Sequence, residues 1–82
     1  METDLIGADG YGQLTYTNKD RYEGHWEEGL RHGKGAHYYA NGDFYEGEWA
    51  AGLPNGSGTY TTTNGLFYTG QWMNGKVNYI PV

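Results

Sequence analysis

The sequence contains no cysteine, few basic residues and no long apolar run. The lack of cysteine excludes disulfide bonds and cysteine-based zinc sites. Because no apolar stretch could span a membrane and no secretory signal is recognisable, we expect a soluble protein of the cytoplasm. Five Lys and Arg stand against ten Asp and Glu, which gives a net charge of −5. That balance argues against nucleic acid and anionic membranes as general partners.

Glycine and aromatic residues are abundant instead. The 82 residues include 15 Gly, nine Tyr and three Trp, and aromatic residues make up 17% of the chain. A high glycine content could indicate disorder, but disordered chains are usually poor in aromatic residues. A chain of this length forms at most one domain and buries little surface, so its stability depends on how its elements stack.

A five-residue motif occurs three times at a constant spacing of 23 residues. It reads YEGHW at 22–26, YEGEW at 45–49 and YTGQW at 68–72, and each copy ends in one of the three Trp residues. Glycine and asparagine residues outside the motif recur with the same period. A period of this length indicates an array of structural repeats.

Two short strands are predicted in each repeat. One is formed by the motif, and the other by the segment that follows it, at 33–39 in the first repeat and 56–62 in the second. These runs are rich in Tyr, Trp and Thr, which favour strands, and none has helical periodicity. Asn-Gly pairs at 41–42 and 64–65 predict tight turns. We expect six-residue loops at 27–32 and 50–55. The sequence therefore predicts an all-β fold, a single-layer antiparallel meander of six or seven short strands.

Two registers are compatible with the Asn-Gly turns. A two-residue turn would split the glycines and aromatic residues between both faces of the sheet, whereas a three-residue turn at 40–42, with Gly42 in a left-handed conformation, would gather them on one face. We favour the three-residue turn. It predicts a row of glycines across the sheet: Gly12, Gly24, Gly35, Gly47, Gly58 and Gly70. The flanking rows are Gly10, Trp26, Gly33, Trp49, Gly56 and Trp72 on one side, and Leu14, Tyr22, His37, Tyr45, Tyr60 and Tyr68 on the other.

We call the side of the sheet that carries these rows the aromatic face and the other side the reverse face. The reverse face is predicted to be mostly polar, apart from a strip formed by Tyr38, Phe44 and Phe67. On the aromatic face, rings are expected to lean over the bare glycine backbone, an arrangement known as aromatic rescue. In the first turn Lys19 replaces the glycine, so that turn should be less favourable.

The motif, the glycine pairs, the Asn-Gly turns and the 23-residue period together resemble the MORN repeat (membrane occupation and recognition nexus). The resemblance divides the chain into a half-repeat at 10–21, repeats at 22–44 and 45–67 and a partial repeat at 68–76, with caps at 1–9 and 77–82. It implies a twisted, groove-bearing meander that acts without catalysis. Such modules bind protein segments, self-associate or help to place larger proteins near membranes.

We therefore predict a protein-interaction module that binds an extended, basic or neutral protein segment along a groove between the aromatic rows. The predicted groove residues are Tyr22, Trp26, His37, Tyr45, Trp49, Tyr60, Tyr68 and Trp72, above a floor of Gly24, Gly35, Gly47, Gly58 and Gly70. The same rings could instead serve only as the core, which is the commoner role of aromatic residues on a regular lattice. No catalytic residue or cofactor is predicted, and no metal site is predicted because the three His residues do not converge.

Two alternatives remain open. One is a phospholipid-binding module, which the family's name suggests but the scarcity of clustered Lys and Arg disfavours. The other is a structural spacer that assembles through its ends. We also expect any homodimer to be weak and symmetric, and to use the N-terminal edge or the aromatic face.

Overall fold

The computed structural model of the chain describes residues 9–77, which form one seven-stranded sheet with the strands in sequence order. The strands are β1 (Gly10–Thr15), β2 (Arg21–Glu27), β3 (Leu30–Tyr38), β4 (Phe44–Ala50), β5 (Leu53–Thr61), β6 (Phe67–Met73) and β7 (Lys76–Val77). All neighbours pair antiparallel. The predicted single-layer β-meander is thereby confirmed. The predicted terminal caps fall almost wholly outside the described residues, which contain no helix capable of crossing a membrane.

The Asn-Gly turns have the predicted three-residue form. Tyr39 and Asp43 close the turn at 40–42, where the Tyr39 amide donates to the Asp43 carbonyl at 2.9 Å and the Gly42 amide donates to the Tyr39 carbonyl at 2.9 Å. Gly42 has a φ of 100°, in the left-handed region that glycine tolerates best. Lys19 holds the same place in the first turn with a φ of 78°, which a side chain disfavours.

Two of the three predicted rows cross the sheet without interruption. The glycines of the central row pair in succession, from Gly12 with Gly24 through to Gly58 with Gly70. The row from Leu14 to Tyr68 is continuous as well. The register derived from the three-residue turn is therefore correct over these strands.

The predicted six-residue loops were wrong. The chain turns there through two residues, Glu28-Gly29 and Ala51-Gly52, whose φ angles are 52° and 82° in the first turn and 51° and 87° in the second. Positive φ at both central residues defines the hairpin turn that best matches strand twist. As a result Trp26 pairs with Arg31 instead of Gly33, and Trp49 pairs with Pro54 instead of Gly56.

A bulge reconciles the shorter turns with the uninterrupted glycine row. Between the Gly24–Gly35 and Trp26–Arg31 pairs, three residues of β3, His32 to Lys34, lie opposite one residue of β2. Gly33 supplies a φ of 66° there. Because the register shifts by an even number of residues, each side chain keeps its face. Every Trp therefore stays on the aromatic face as predicted, but the predicted Trp26–Gly33 and Trp49–Gly56 pairs do not form.

Candidate functional site

The aromatic face contains the core of this single-layer protein. Tyr22 and Tyr45 have no exposed surface, and Trp26, Trp49 and Trp72 are only 4–8% exposed. Within the part of the chain that the structure describes, no second layer covers them. The rings cover one another, since Tyr45 lies edge-on between Trp49 and Trp72 with ring centroids 5.2 and 5.1 Å apart. Such edge-to-face contacts add to the free energy of folding beyond the area that they bury.

The tyrosine rings of the motif also cover the glycine row. A Cβ atom at Gly35 would overlap the hydroxyl of Tyr22, and one at Gly58 would overlap that of Tyr45. The Tyr45 hydroxyl donates to the Glu48 carbonyl at 3.0 Å, which fixes the ring in place. The glycines are thus needed for close packing against tyrosine, as the aromatic-rescue hypothesis proposed.

Each indole ties two strands together by a hydrogen bond to this row. The Nε1 atoms of Trp26, Trp49 and Trp72 donate to the carbonyls of Gly12, Gly35 and Gly58, at 3.1, 3.0 and 3.1 Å. Both ends of the motif therefore stabilise the sheet, because its Tyr covers the glycine row and its Trp donates a hydrogen bond to a carbonyl of that row.

The predicted groove residues differ in how far a partner could reach them. Tyr22 and Tyr45 are enclosed, and His37 is 4% exposed. Tyr60 and Tyr68 are half-buried, so they present ring surface to solvent. Of the predicted floor, Gly24 is buried and the other four glycines are half-buried beneath or beside the tyrosine rings. Whether these residues bind a peptide stays a prediction.

A cleft of about 550 Å³ opens on the aromatic face beside these rings. Its walls are formed by aromatic residues from both full repeats and from the partial repeat, including Tyr39, Trp49, Tyr60 and Trp72. Leu53, Pro54 and Gly75 complete its wall at the turn side. A concave apolar site with a few polar groups is the usual form of a binding site.

A polar cluster lies at one end of the cleft. Arg31 Nη1 donates to His37 Nδ1 at 3.1 Å, and His37 Nε2 donates to the Asp20 carboxylate at 3.0 Å. Arginine can only donate, so this arrangement selects the neutral His37 tautomer that carries its proton on Nε2. Burial acts to raise the pKa of Asp20, but the hydrogen bonds from His37 and the Ala40 amide outweigh it and lower that pKa.

Asp43 lies one period after Asp20 and is the corresponding carboxylate, bound by a tyrosine. The Tyr60 hydroxyl donates to Asp43 Oδ2 at 2.8 Å, while the Thr63 amide donates to Oδ1 at 3.1 Å. Burial and then the bond to this carboxylate raise the pKa of Tyr60 to about 12. Each of the two carboxylates thus fixes a ring of the aromatic face to the turn of the next repeat.

Sequence reasoning missed Asp20, Asp43, Arg31 and Tyr39. The 23-residue period could have revealed three of them, because Asp20 and Asp43 lie one period apart and Tyr39 lies one period after Tyr16. The other two His residues are separate from the cleft, with His32 3.2 Å from Glu27 and His25 edge-on to Tyr11. Within residues 9–77, no group of His, Asp and Glu side chains is arranged to hold a metal ion.

Comparison with known families gives matches along most of the chain. A family model described as MORN repeat matches residues 7–21, 22–44, 45–67 and 68–76. The two complete matched segments, 22–44 and 45–67, have the 23-residue period of the motif. No curated protein matches the chain.

Proposed function

The chain belongs to the MORN-repeat family, whose repeats are generally protein- or membrane-interaction modules, and we propose that this one binds an extended protein segment along its aromatic face. The observation that supports this most is the cleft between the two full repeats, where half-buried Tyr39 and Tyr60 adjoin the enclosed rings. Aromatic surface that is rigid and partly exposed gives contact area at low entropic cost.

The segment is proposed to be basic or neutral. The chain has a net charge of −5, and the carboxylates of Asp20 and Asp43 lie beside rings that line the cleft. Complementary charge speeds association and rejects acidic partners. A cytoplasmic location stays a prediction.

We propose a non-catalytic role. The carboxylates bonded to cleft-lining rings are engaged in holding the repeats together: Asp20 accepts from His37 and the Ala40 amide, and Asp43 accepts from Tyr60 and the Thr63 amide. Such bonds give these groups a structural role that accounts for their placement.

A selection from a library of random twelve-residue peptides would test the proposal, with binding measured on matched variants. Leu53 lines the cleft and is 45% exposed, whereas Leu66 lies outside it and is 66% exposed. Leu53→Asp should weaken the selected peptides by about tenfold or more, because it places a charge in the contact area. Leu66→Asp makes the same chemical change elsewhere and should leave binding intact. Peptides that respond only to Leu66→Asp would contradict binding on the aromatic face.

Membrane binding is the competing function within the family. Five basic residues against ten acidic ones give little attraction for anionic lipid. Co-sedimentation with phosphatidylserine vesicles measures it directly. We expect no salt-sensitive binding, and its appearance would favour the lipid function over the peptide function.

A further inference from the structure

We propose that the cleft binds an arginine side chain of the partner segment, at the place in the second repeat that corresponds to Arg31 in the first. This inference rests on the proposed function, because it names the anchor residue of the segment that the aromatic face would bind. It is carried by a comparison of the two repeats, in which the protein's own arginine shows which chemistry the site accepts.

Arg31 is held in the first repeat by rings and by a backbone carbonyl. Its guanidinium lies over the Trp49 ring, 5.0 Å from the centroid, and 5.8 Å from the centroid of Tyr16. Nη2 donates to the Gly52 carbonyl at 2.8 Å. A planar, weakly hydrated cation between aromatic faces and an acceptor is the environment that guanidinium prefers.

The second repeat, 45–67, and the segments on either side of it provide the same walls one period later. Trp72 corresponds to Trp49 and Tyr39 to Tyr16, and both line the cleft. Pro54 stands at the position of Arg31, so this repeat contributes no cation of its own.

The acceptor is in place as well. The Gly52 amide donates to the Arg31 carbonyl at 3.0 Å, and the Gly75 amide donates to the Pro54 carbonyl at 2.8 Å. The φ angles of Gly52 and Gly75 are 87° and 85°. The backbone that presents the Gly52 carbonyl to Arg31 is therefore reproduced at Gly75, which also lines the cleft.

The electrostatic setting of the second site also favours a cation, because each site has a carboxylate behind its ring, Asp20 in the first and Asp43 in the second. His37, which accepts from Arg31, is replaced by Tyr60, whose hydroxyl is bonded to the Asp43 carboxylate. The second site thus combines two aromatic walls, a carbonyl acceptor and a neighbouring negative charge. An arginine from a partner would find there the contacts that Arg31 makes within the chain.

A capped Gly-Gly-Arg-Gly-Gly peptide tests this directly in a titration followed by nuclear magnetic resonance. We expect saturable shifts of the Trp72 indole and the Gly75 amide. The citrulline peptide, which keeps the shape and loses the charge, should bind about tenfold more weakly or worse. Equal binding of the two peptides would overturn the inference.

Pro54→Arg provides the matching change in the protein. The first repeat already accommodates arginine at this position, paired with the Trp of its motif, so the backbone should tolerate it. The variant supplies its own guanidinium to Trp72 and Gly75 and should reduce binding of the arginine peptide about tenfold. Leu66→Arg adds the same charge outside the cleft and controls for net charge. A Pro54→Arg variant that binds as well as Leu66→Arg would also overturn the inference.

The broader function can survive this test. If peptides selected on the aromatic face depend on Leu53 but contain no required arginine, the extended-segment function stands and the arginine site is refuted. If no selected peptide depends on Leu53, the extended-segment function itself is refuted.

Discussion

The phenol ring of Tyr45 lies directly over Gly58 of the neighbouring strand, so closely that a Cβ atom at position 58 would overlap its hydroxyl. The same relationship joins Tyr22 to Gly35 one repeat earlier. A single sheet can therefore bury aromatic residues completely without a second layer, because glycine lets each ring lie down on the backbone. The repeat is defined as much by these glycines as by its aromatic residues.

Replacing Gly47 should destabilise the protein because its surroundings are backbone. A Cβ atom there would overlap Gly58 Cα and would lie 2.5 Å from the Ser57 carbonyl oxygen. Although valine favours strands, we expect Gly47→Val to lower the free energy of unfolding by about 1–3 kcal/mol through overpacking. Denaturant unfolding measures the change.

Gly70 offers a graded control for this prediction. The nearest atoms to a Cβ there belong to the Tyr68 side chain, with the hydroxyl at 2.5 Å, and that ring is half-buried. Since a partly exposed ring can move, Gly70→Val should cost less than Gly47→Val. A Gly47→Val variant that is as stable as the original chain would show that the glycine row is not closely packed.

The extent to which the sequence predicts this structure depends on the kind of signal. The glycine row and the tyrosine row could be predicted because Gly42 marks a three-residue turn, which gathers these residues on one face. The two-residue turns were missed because Glu28 and Ala51, which adopt φ angles of 52° and 51°, rarely do so. Asn74-Gly75, in the corresponding place of the last repeat, was the available clue.

The cleft was harder to foresee than the rows. Pairing of strands follows from period and turn type, but the Asp20–His37–Arg31 cluster joins two side chains of β3 to one at the end of the first turn. Their convergence depends on the bulge, which brings Arg31 opposite Trp26. A six-residue loop, as predicted, would have left Arg31 outside the sheet.

Lys19 provides a stabilising substitution. It adopts a φ of 78° at the position that Gly42 and Gly65 hold in the later turns. Because a Cβ atom is unfavourable in this conformation, Lys19→Gly should raise the free energy of unfolding by about 0.5–1 kcal/mol, after allowing for the greater entropy of glycine in the unfolded chain. Thermal unfolding would report it as a higher melting temperature.

Gly65→Lys is the reciprocal change. Gly65 has a φ of 90°, and no atom lies within 4 Å of a Cβ built there. The cost of Gly65→Lys should therefore come from the backbone conformation alone and be similar in size to the gain from Lys19→Gly. If Lys19→Gly destabilises the protein while Gly65→Lys is neutral, left-handed strain is not the reason for either effect.

Alkaline conditions should destabilise the fold through two tyrosines. Burial raises the pKa of Tyr45 to about 12, and burial with the Asp43 bond raises that of Tyr60 to about 12, against an ordinary value of 10.0. Below pH 10 both states keep the proton, so the stability contribution is complete. Between about pH 10 and about pH 12 the unfolded state loses its protons first, and the contribution declines.

Denaturant unfolding at about pH 9 and about pH 11 would measure this loss. Tyr60→Phe removes the titrating group and should show a smaller decrease in stability between the two conditions. Tyr11→Phe is a suitable control, since Tyr11 is 66% exposed. An equal decrease in the original chain and in Tyr60→Phe would assign the alkaline sensitivity to other groups.

The final prediction concerns self-association through β1. Among the described residues β1 pairs only with β2, and its sequence, GYGQLT, contains no Pro, Lys or other charge to discourage pairing with another chain. We expect a weak, symmetric dimer in which β1 pairs antiparallel with its copy. The net charge of −5 opposes association at low salt, so the dimer should tighten as salt screens the repulsion. Sedimentation equilibrium at two salt concentrations measures it.

Two matched variants separate edge pairing from a general effect of charge. Gln13→Lys places a cation on the β1 edge, whereas Gln71→Lys adds the same charge on β6, inside the sheet; both glutamines are exposed. Each reduces the net negative charge equally and so weakens the general repulsion. Only Gln13→Lys should abolish the dimer, because an edge lysine must be desolvated when strands pair. A dimer that survives Gln13→Lys would point instead to the aromatic face, and one that dissociates at high salt would reverse the predicted electrostatics.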